Sequence, residues 1–270
     1  MAPPPIVLTT DFGLADPYAG VMKGVVLSIN PVATLIDLTQ QIQPQNIRQG
    51  SFVLGASHRF FPVDSIHVAV VDPGVGTDRM AVLLVTPTAK FLAPDNGLLS
   101  GVLGDYLDKP PPDPGRVPLP PILTAYRLTN AEYWLHPVSN TFHGRDIFAP
   151  VAAHLSLGVL PEDLGQPLED LAWLPTPKPT HEGDYLLGEV VYADHYGNLV
   201  TNIPARRLPK HPIVEADGHV IRGLSASYEA EKSLVALVGS HDYLEIAKPR
   251  GSAARDSHLG QGARVRVTGT

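Results

Sequence analysis

The chain contains no cysteine. This excludes a disulfide framework, a thiolate metal site and a cysteine nucleophile, and it is compatible with a reducing compartment. Positive charge is in the minority: 20 Lys and Arg stand against 27 Asp and Glu, a formal charge of −7. With no long basic run either, no nucleic-acid partner held through its phosphates is expected. No apolar stretch approaches the ~20 residues of a membrane span. The MAPPP start lacks the basic and apolar segments of a secretion signal. A cytoplasmic protein with no membrane partner is therefore expected. The 11 histidines form no HExxH or short His-x-His pair, so no metal is expected. No GxGxxG or GxxxxGK[ST] loop follows the first apolar run, which argues against a dinucleotide or nucleoside triphosphate cofactor. The letters DFG at 11–13 match a kinase signature by chance, since no Gly-rich loop and no HRD motif accompany them.

What is present is a chain of 270 residues, 44% hydrophobic, enough for a substantial core in two domains or one large one. Its 24 glycines and 28 prolines follow no collagen-like period, so they mark turns and stiff loops. The first part alternates short apolar runs with helical patterns. Strands are expected at 5–10, 34–38, 65–72 and 80–87. Helices are expected at 16–30, with Asp16 as N-cap before Pro17, and at 46–59, 97–103 and 145–157. Strands separated by helices imply an α/β domain on a mostly parallel sheet, with ligands beyond the carboxyl ends of the strands. Asp11 and Asp72 fall there. The run KPPPDPGRVPLPP at 109–121 cannot be helix or interior strand and reads as an extended surface loop. LPTPKP at 174–179 marks a composition shift. The expected organisation is an N-terminal α/β domain at 1–170, a linker at 171–183 and a C-terminal all-β barrel at 184–270. Within the last, Asp217-Gly218 is a strong hairpin signal.

Two local patterns can carry chemistry. In VVDPGVGTDR at 70–79, a carboxylate at a strand end precedes a Gly/Pro turn, and a chain reversal there returns Arg79 beside Asp72. Such a pair can hold and polarise a water, and it equally fits a surface turn with a salt bridge. In TFHGRD at 141–146, His143 stands just before a helix start, where a base, an orienting group or a packing residue all fit. The pairs Asp194-His195 and His241-Asp242 sit in turns, where polar residues are ordinary.

Taken in order, TDFG (10–13), DPY..VMKG (16–24), VDPGVG (71–76), APDNGLL (93–99), SNTFHGRDIFAPVAAHL (139–155), DHYGNLVTNI (194–203) and GSHDYLEIA (239–247) resemble one family over nearly the whole chain. It is the adenosine-forming S-adenosyl-L-methionine (SAM) hydroxide adenosyltransferases, relatives of the SAM-dependent fluorinase and chlorinase. The resemblance implies a homotrimer of two-domain subunits, with sites between neighbouring subunits. The implied reaction is SAM plus water giving adenosine and L-methionine, with SAM as substrate and no separate cofactor. It implies Asp72, Arg79 and His143 as the catalytic set. Asp72 is expected as proton acceptor and hydroxide holder, Arg79 as its electrostatic stabiliser and His143 as a tuning or relaying group. The choice of Asp72 or His143 to take the proton is left open by the sequence. The halogenases carry a Tyr where Asp72 stands, TFYS in place of the TFHG around His143, and a longer insertion after the turn. Among binding groups, the resemblance implies Asp11 on the ribose hydroxyls, Asp194 and Ser240 on the methionine amino and carboxylate groups, and Asn198 on the purine edge. The backbone from Leu244 to Arg250 is implied to meet adenine. This chain departs from the family pattern at Lys248-Pro249-Arg250-Gly251 and at His241. The remaining alternatives are halogenase-type adenosyl transfer and a SAM or adenosine sensor without turnover.

Overall fold

The computed structural model describes residues 3–228 and 234–270, and the chain divides into two compact units, Met1–Pro175 and Thr176–Thr270. In the first unit the elements run β1 (Ile6–Thr10), α1 (Tyr18–Ile29), β2 (Leu35–Thr39), α2 (Ile47–Ser57), β3 (Ser65–Val70), β4 (Ala81–Val85) and β5 (Ala89–Pro94). There follow α3 (Ser100–Leu103), β6 (Gly115–Pro118), β7 (Thr124–Leu128), α4 (Ala149–Ser156), β8 (Gly165–Leu168) and β9 (Asp170–Trp173). Seven strands form one sheet in the order β2-β1-β3-β5-β4-β7-β8.

Strands β2, β1, β3 and β5 are parallel, and the β5–β4, β4–β7 and β7–β8 pairs are antiparallel. The sheet is therefore mixed, not mostly parallel. The cause is local: β4 and β5 are joined by a turn in which Thr86 N–H donates to the Ala89 carbonyl at 2.9 Å, too short for a crossover helix. The β3 run is apolar throughout because both faces of the strand are covered. Ile66, Val68 and Val70 pack with Met22, Phe148 and Val151 from α1 and the α4 region. Ala69 and Val71 pack on the other side with Leu54, Leu98 and Val102 from α2 and α3.

Several helix boundaries differ from expectation. Pro17, not Asp16, occupies the N-cap of α1, and no side chain caps it. Asn46 does cap α2, accepting from Gln49 N–H, but the α-helix stops at Ser57 and gives way to a tighter turn, His58–Phe60. The helix expected at 145–157 opens as a π turn, Gly144–Phe148. The proline-rich segment is not loop throughout: β6 pairs with β9 in a separate two-stranded ribbon, held by Arg116 to Asp95 at 2.9 Å. Residues 171–183, expected as a linker, hold most of β9 and all of β10 (Thr180–Glu182).

The second unit continues with β11 (Tyr185–Ala193), β12 (Leu199–Pro204), β13 (Pro212–Ala216), β14 (His219–Arg222), β15 (Val235–Val238), β16 (Tyr243–Ala247), α5 (Ala253–Ser257) and β17 (Arg264–Gly269). All its strand pairs are antiparallel, in the order β14-β13-β17-β11-β12-β16-β15 with β10 beside β11. The end strands β14 and β15 approach each other, so the sheet is nearly closed and barrel-like around one apolar core. Asp217 and Gly218 turn the β13–β14 hairpin with φ of 43° and 82°, the left-handed pair that matches strand twist. No helix among the described residues is long and apolar enough to cross a membrane.

One core residue is out of character. His67 on β3 is fully buried and stacked on Phe91 at 4.9 Å, and among the described residues neither ring nitrogen has a hydrogen-bond partner. Burial first, then the charge of His58, pushes its pKa down from 6.5 to about 4. As pH falls below 6.5 the unfolded chain takes up this proton before the folded one, so stability is lost progressively down to about pH 4. The full loss is roughly 3 kcal/mol at 1.36 kcal/mol per pKa unit. His67→Leu is therefore expected to flatten the decline of denaturant-measured stability across that window. An unchanged pH slope in the variant contradicts this account.

Candidate active site

The site in the first unit begins where β3 ends. Val71 is the last core residue of that run, and Asp72 follows it out of the sheet. Pro73 to Gly76 reverse the chain: Val75 N–H donates to the Asp72 carbonyl at 3.2 Å and Thr77 N–H to that of Gly74 at 3.1 Å. Arg79 thereby returns to Asp72. Its Nε donates to both carboxylate oxygens at 3.0 Å, and its Nη2 donates to Oδ2 at 2.5 Å. Only 10% of the Arg79 side chain and 5% of that of Asp72 remain exposed, so this is no solvated surface pair. The guanidinium also lies 5.8 Å from the Phe148 ring centroid.

A second loop supplies the third group. Asp146 is fully buried and accepts from Ser139 N–H at 2.8 Å and from the Arg145 guanidinium. These contacts hold the 139–143 loop and aim His143 inward from the N-terminal side of the π turn. His143 Nδ1 lies 2.7 Å from Arg79 Nη2. A guanidinium can only donate, so Nδ1 accepts and the imidazole proton resides on Nε2. Burial, then the positive charge of Arg79, pushes the His143 pKa below its ordinary value, although Asp72 and Asp146 oppose this. The ring is neutral near pH 7.

Gly76 is what lets the two loops meet. Its φ is +79°, and a Cβ there would stand 2.2 Å from the Asn140 carbonyl oxygen. Asp11, one residue past β1, belongs to the same surroundings. It accepts from Gln45 N–H at 2.7 Å, and its pKa is raised chiefly by burial and also by the charge of Asp72. Beside it stands an aromatic wall that the sequence reading did not single out: Phe12, Tyr18 and Phe142, with ring centroids 5.2–5.8 Å apart. The available signal was position, since Phe12 follows Asp11 and Phe142 precedes His143. Among the described residues, no three His, Cys, Asp or Glu side chains gather as a metal set.

The other expected binding residues lie in the second unit. Asp194 shapes the β11–β12 connection: Oδ1 accepts from Tyr196 N–H at 2.9 Å and Asn198 N–H at 2.8 Å, and Oδ2 accepts from Asn198 Nδ2 at 2.9 Å. Asp194 and Asn198 are thus one constellation. Ser240 is exposed in the β15–β16 turn. Leu244 is fully buried in the barrel core, and its carbonyl accepts from Thr201 Oγ1 at 2.8 Å. Its side chain is therefore committed to packing. Arg250 is exposed in a left-handed turn after β16, with φ of 55°.

The close approach at Gly76 can be tested directly. Gly76→Ala is expected to cost about 1–3 kcal/mol of stability through its backbone conformation. By pushing the 139–143 loop away from Arg79 it should also weaken any activity that depends on His143. A variant with unaltered melting temperature and activity would show that the two loops do not need this contact.

Two family models match the chain: the SAM hydroxide adenosyltransferase N-terminal domain over residues 6–165 and the corresponding C-terminal domain over residues 188–266. The chain is 37% identical to a protein of Salinispora tropica named (R)-S-adenosyl-L-methionine hydrolase, covering 99% of each. It is 38% identical to a Thermus thermophilus protein of the same name, over 97% of this chain and 99% of that one. A fluorinase of Nocardia brasiliensis is 25% identical over 98% and 96%. Among solved structures, a conserved protein of Thermotoga maritima superposes with a TM-score of 0.86 at 32% identity, covering 98% of this chain and all of that one.

Proposed function

The chain belongs to the SAM hydroxide adenosyltransferase family, and from that premise we propose that it is an enzyme hydrolysing S-adenosyl-L-methionine to adenosine and L-methionine. The observation that supports the water-using chemistry is the partly buried Asp72–Arg79–His143 constellation. The sulfonium already makes methionine a good leaving group, so catalysis has to act on the nucleophile. A water held in line with the carbon–sulfur bond gives its proton to the Asp72 carboxylate as its oxygen attacks the ribose 5′-carbon. The bond to sulfur breaks, its electron pair stays on sulfur, and methionine departs as a neutral thioether. Arg79 stabilises the developing hydroxide and fixes the carboxylate, and positioning of this kind accounts for much of a rate enhancement. With Nδ1 engaged by Arg79, His143 presents Nε2–H as a donor, which suits it to orient the water rather than to deprotonate it.

The same geometry weighs against a halide nucleophile. A halide is an anion, and the Asp72 carboxylate in that position would repel it, whereas water is neutral and needs an acceptor. Asp11 is suited to accept from the two ribose hydroxyls, Asn198 to read a purine edge, and Asp194 with Ser240 to hold the amino-acid end. Contacts to adenine from the backbone between Leu244 and Arg250 complete the proposed set. The names of the relatives specify the R sulfonium epimer, and the same preference is proposed here.

Purified protein incubated with SAM is expected to release adenosine and methionine in equal amounts, without added halide. Asp72→Ala, Arg79→Ala and His143→Ala should each lower kcat by roughly 10²-fold or more while KM changes far less. Wild-type turnover in all three removes this mechanism. Tight SAM binding with no adenosine from the parent protein would instead indicate a sensor, and a halide-dependent 5′-halo product would indicate the halogenase reaction.

We also propose that the subunits assemble as a homotrimer in the cytoplasm, with neighbouring subunits contributing to each site. Light scattering should then give about three times the 28.9 kDa subunit mass. A monomer that retains full activity would contradict it.

A further inference from the structure

The side chain of Glu245 has no role in the assignments above, and its surroundings are unusual. Along β16 the neighbours Leu244 and Ile246 point into the barrel core, so alternation sends Glu245 to the opposite face. A carboxylate there is ordinarily solvated. Glu245 is only 6% exposed. Tyr228 covers it from one side, donating from its hydroxyl to Oε2 at 3.1 Å. Gly239 covers it from the other, so closely that a Cβ at that position would stand 1.8 Å from Oε1. Among the described residues, Oε1 accepts no hydrogen bond and the carboxylate has no Lys, Arg or His partner. A buried carboxylate with one hydroxyl donor and no cation is poorly compensated.

Its position gives this a direction. Gly239 is the residue before Ser240, so the bare Oε1 lies beneath the turn that carries Ser240. Asp194 is near enough for its charge to act on Glu245, and burial together with that charge raises the Glu245 pKa. Burial first, and then the charges of Asp194 and Glu245, push the Tyr192 pKa up to about 12. Asp194 already spends its carboxylate on three donors of its own loop. Glu245 holds an oxygen in reserve.

We propose that Glu245 is a specificity-determining residue of the reaction, joining Asp194 to form a subsite for the substrate's α-ammonium group and so selecting substrates that carry one. The inference rests on the proposed binding of SAM. An incoming ammonium supplies a countercharge that no described residue provides, and its three donors match Oε1 and any lone pairs Asp194 retains. A sulfonium nucleoside without the amino group would leave Glu245 uncompensated and bind more weakly.

The test compares calorimetric Kd values and KM for SAM and for its analogue lacking the α-amino group. Glu245→Gln keeps the shape and the Tyr228 contact but removes the charge. It is expected to weaken SAM on the order of tenfold, with kcat retained and the deamino analogue bound as before. Tyr228→Phe removes the hydroxyl but leaves the charge, and should change SAM affinity far less than Glu245→Gln does. Equal weakening of both ligands by Glu245→Gln, or no weakening of SAM, overturns the proposal, as does a Tyr228→Phe loss equal to that of Glu245→Gln. Because Kd is read without turnover, a parent protein that binds SAM but forms no adenosine would sink the hydrolase reading while leaving this one testable.

Discussion

The contact of Arg79 with Asp72 and His143 governs the chemistry available in the first unit, because a guanidinium has five donors and no acceptor. Two of its nitrogens engage the carboxylate and one of these also meets His143 Nδ1. That single hub sets the imidazole tautomer, orients the carboxylate and keeps a positive charge within the cluster. Burying a carboxylate or a guanidinium alone would be costly; buried together with matched geometry, each compensates the other. The Phe148 ring, its centroid 5.8 Å from the guanidinium carbon, adds a cation–π contact to the hub.

The fold delivers these groups by division of labour within its sheet. The parallel half, β2-β1-β3-β5, ends its strands on the same side, and Asp11 and Asp72 follow the ends of the adjacent β1 and β3. The antiparallel half brings the chain back through β4 and β7 and so frees the later 139–146 segment to reach the strand ends. Neither half would suffice without the backbone contact at Gly76, where one loop rests on the carbonyl of Asn140 in the other. The buried Asp146 then plays for the second loop the part that hydrogen-bonded turns play for the first.

How much of this could be read in the sequence depends on how local each determinant is. The β3 run, the Asn46 cap and the Asp217-Gly218 turn are set within a few residues, and they form as the residues dictate. The return of Arg79 to Asp72 is similarly local, seven positions apart. By contrast β5 went unread, because AKFLAP shows no clean alternation and its burial on both faces comes from helices distant in sequence. Missing it turned a mixed sheet into an apparently parallel one. Asp16 has the right chemistry for a cap, yet Pro17 takes the cap position instead. Glu245 stayed invisible for a related reason: its burial depends on Tyr228 and Gly239, which lie on other segments, and a lone Glu in a strand reads as an outward-facing residue.

For the proposed hydrolysis, the charge pattern gives a reason for three groups where one base would accept a proton. A sulfonium substrate is a cation, and an unpaired Arg79 close to its reacting carbon would repel it. Pairing with Asp72 cancels that charge before the substrate arrives, and the neutral state of His143 adds none. Asp11 tilts the surroundings further toward negative when ionised, although burial and Asp72 both resist its ionisation. In the proposed reaction the water loses its proton to Asp72, so the carboxylate becomes neutral and the guanidinium is left facing a nascent hydroxide. The positive charge of Arg79 is thus masked while the substrate binds and unmasked where anionic charge develops. A cluster whose field changes in step with the reaction favours the transition state over the bound substrate, and that difference is what accelerates a chemical step.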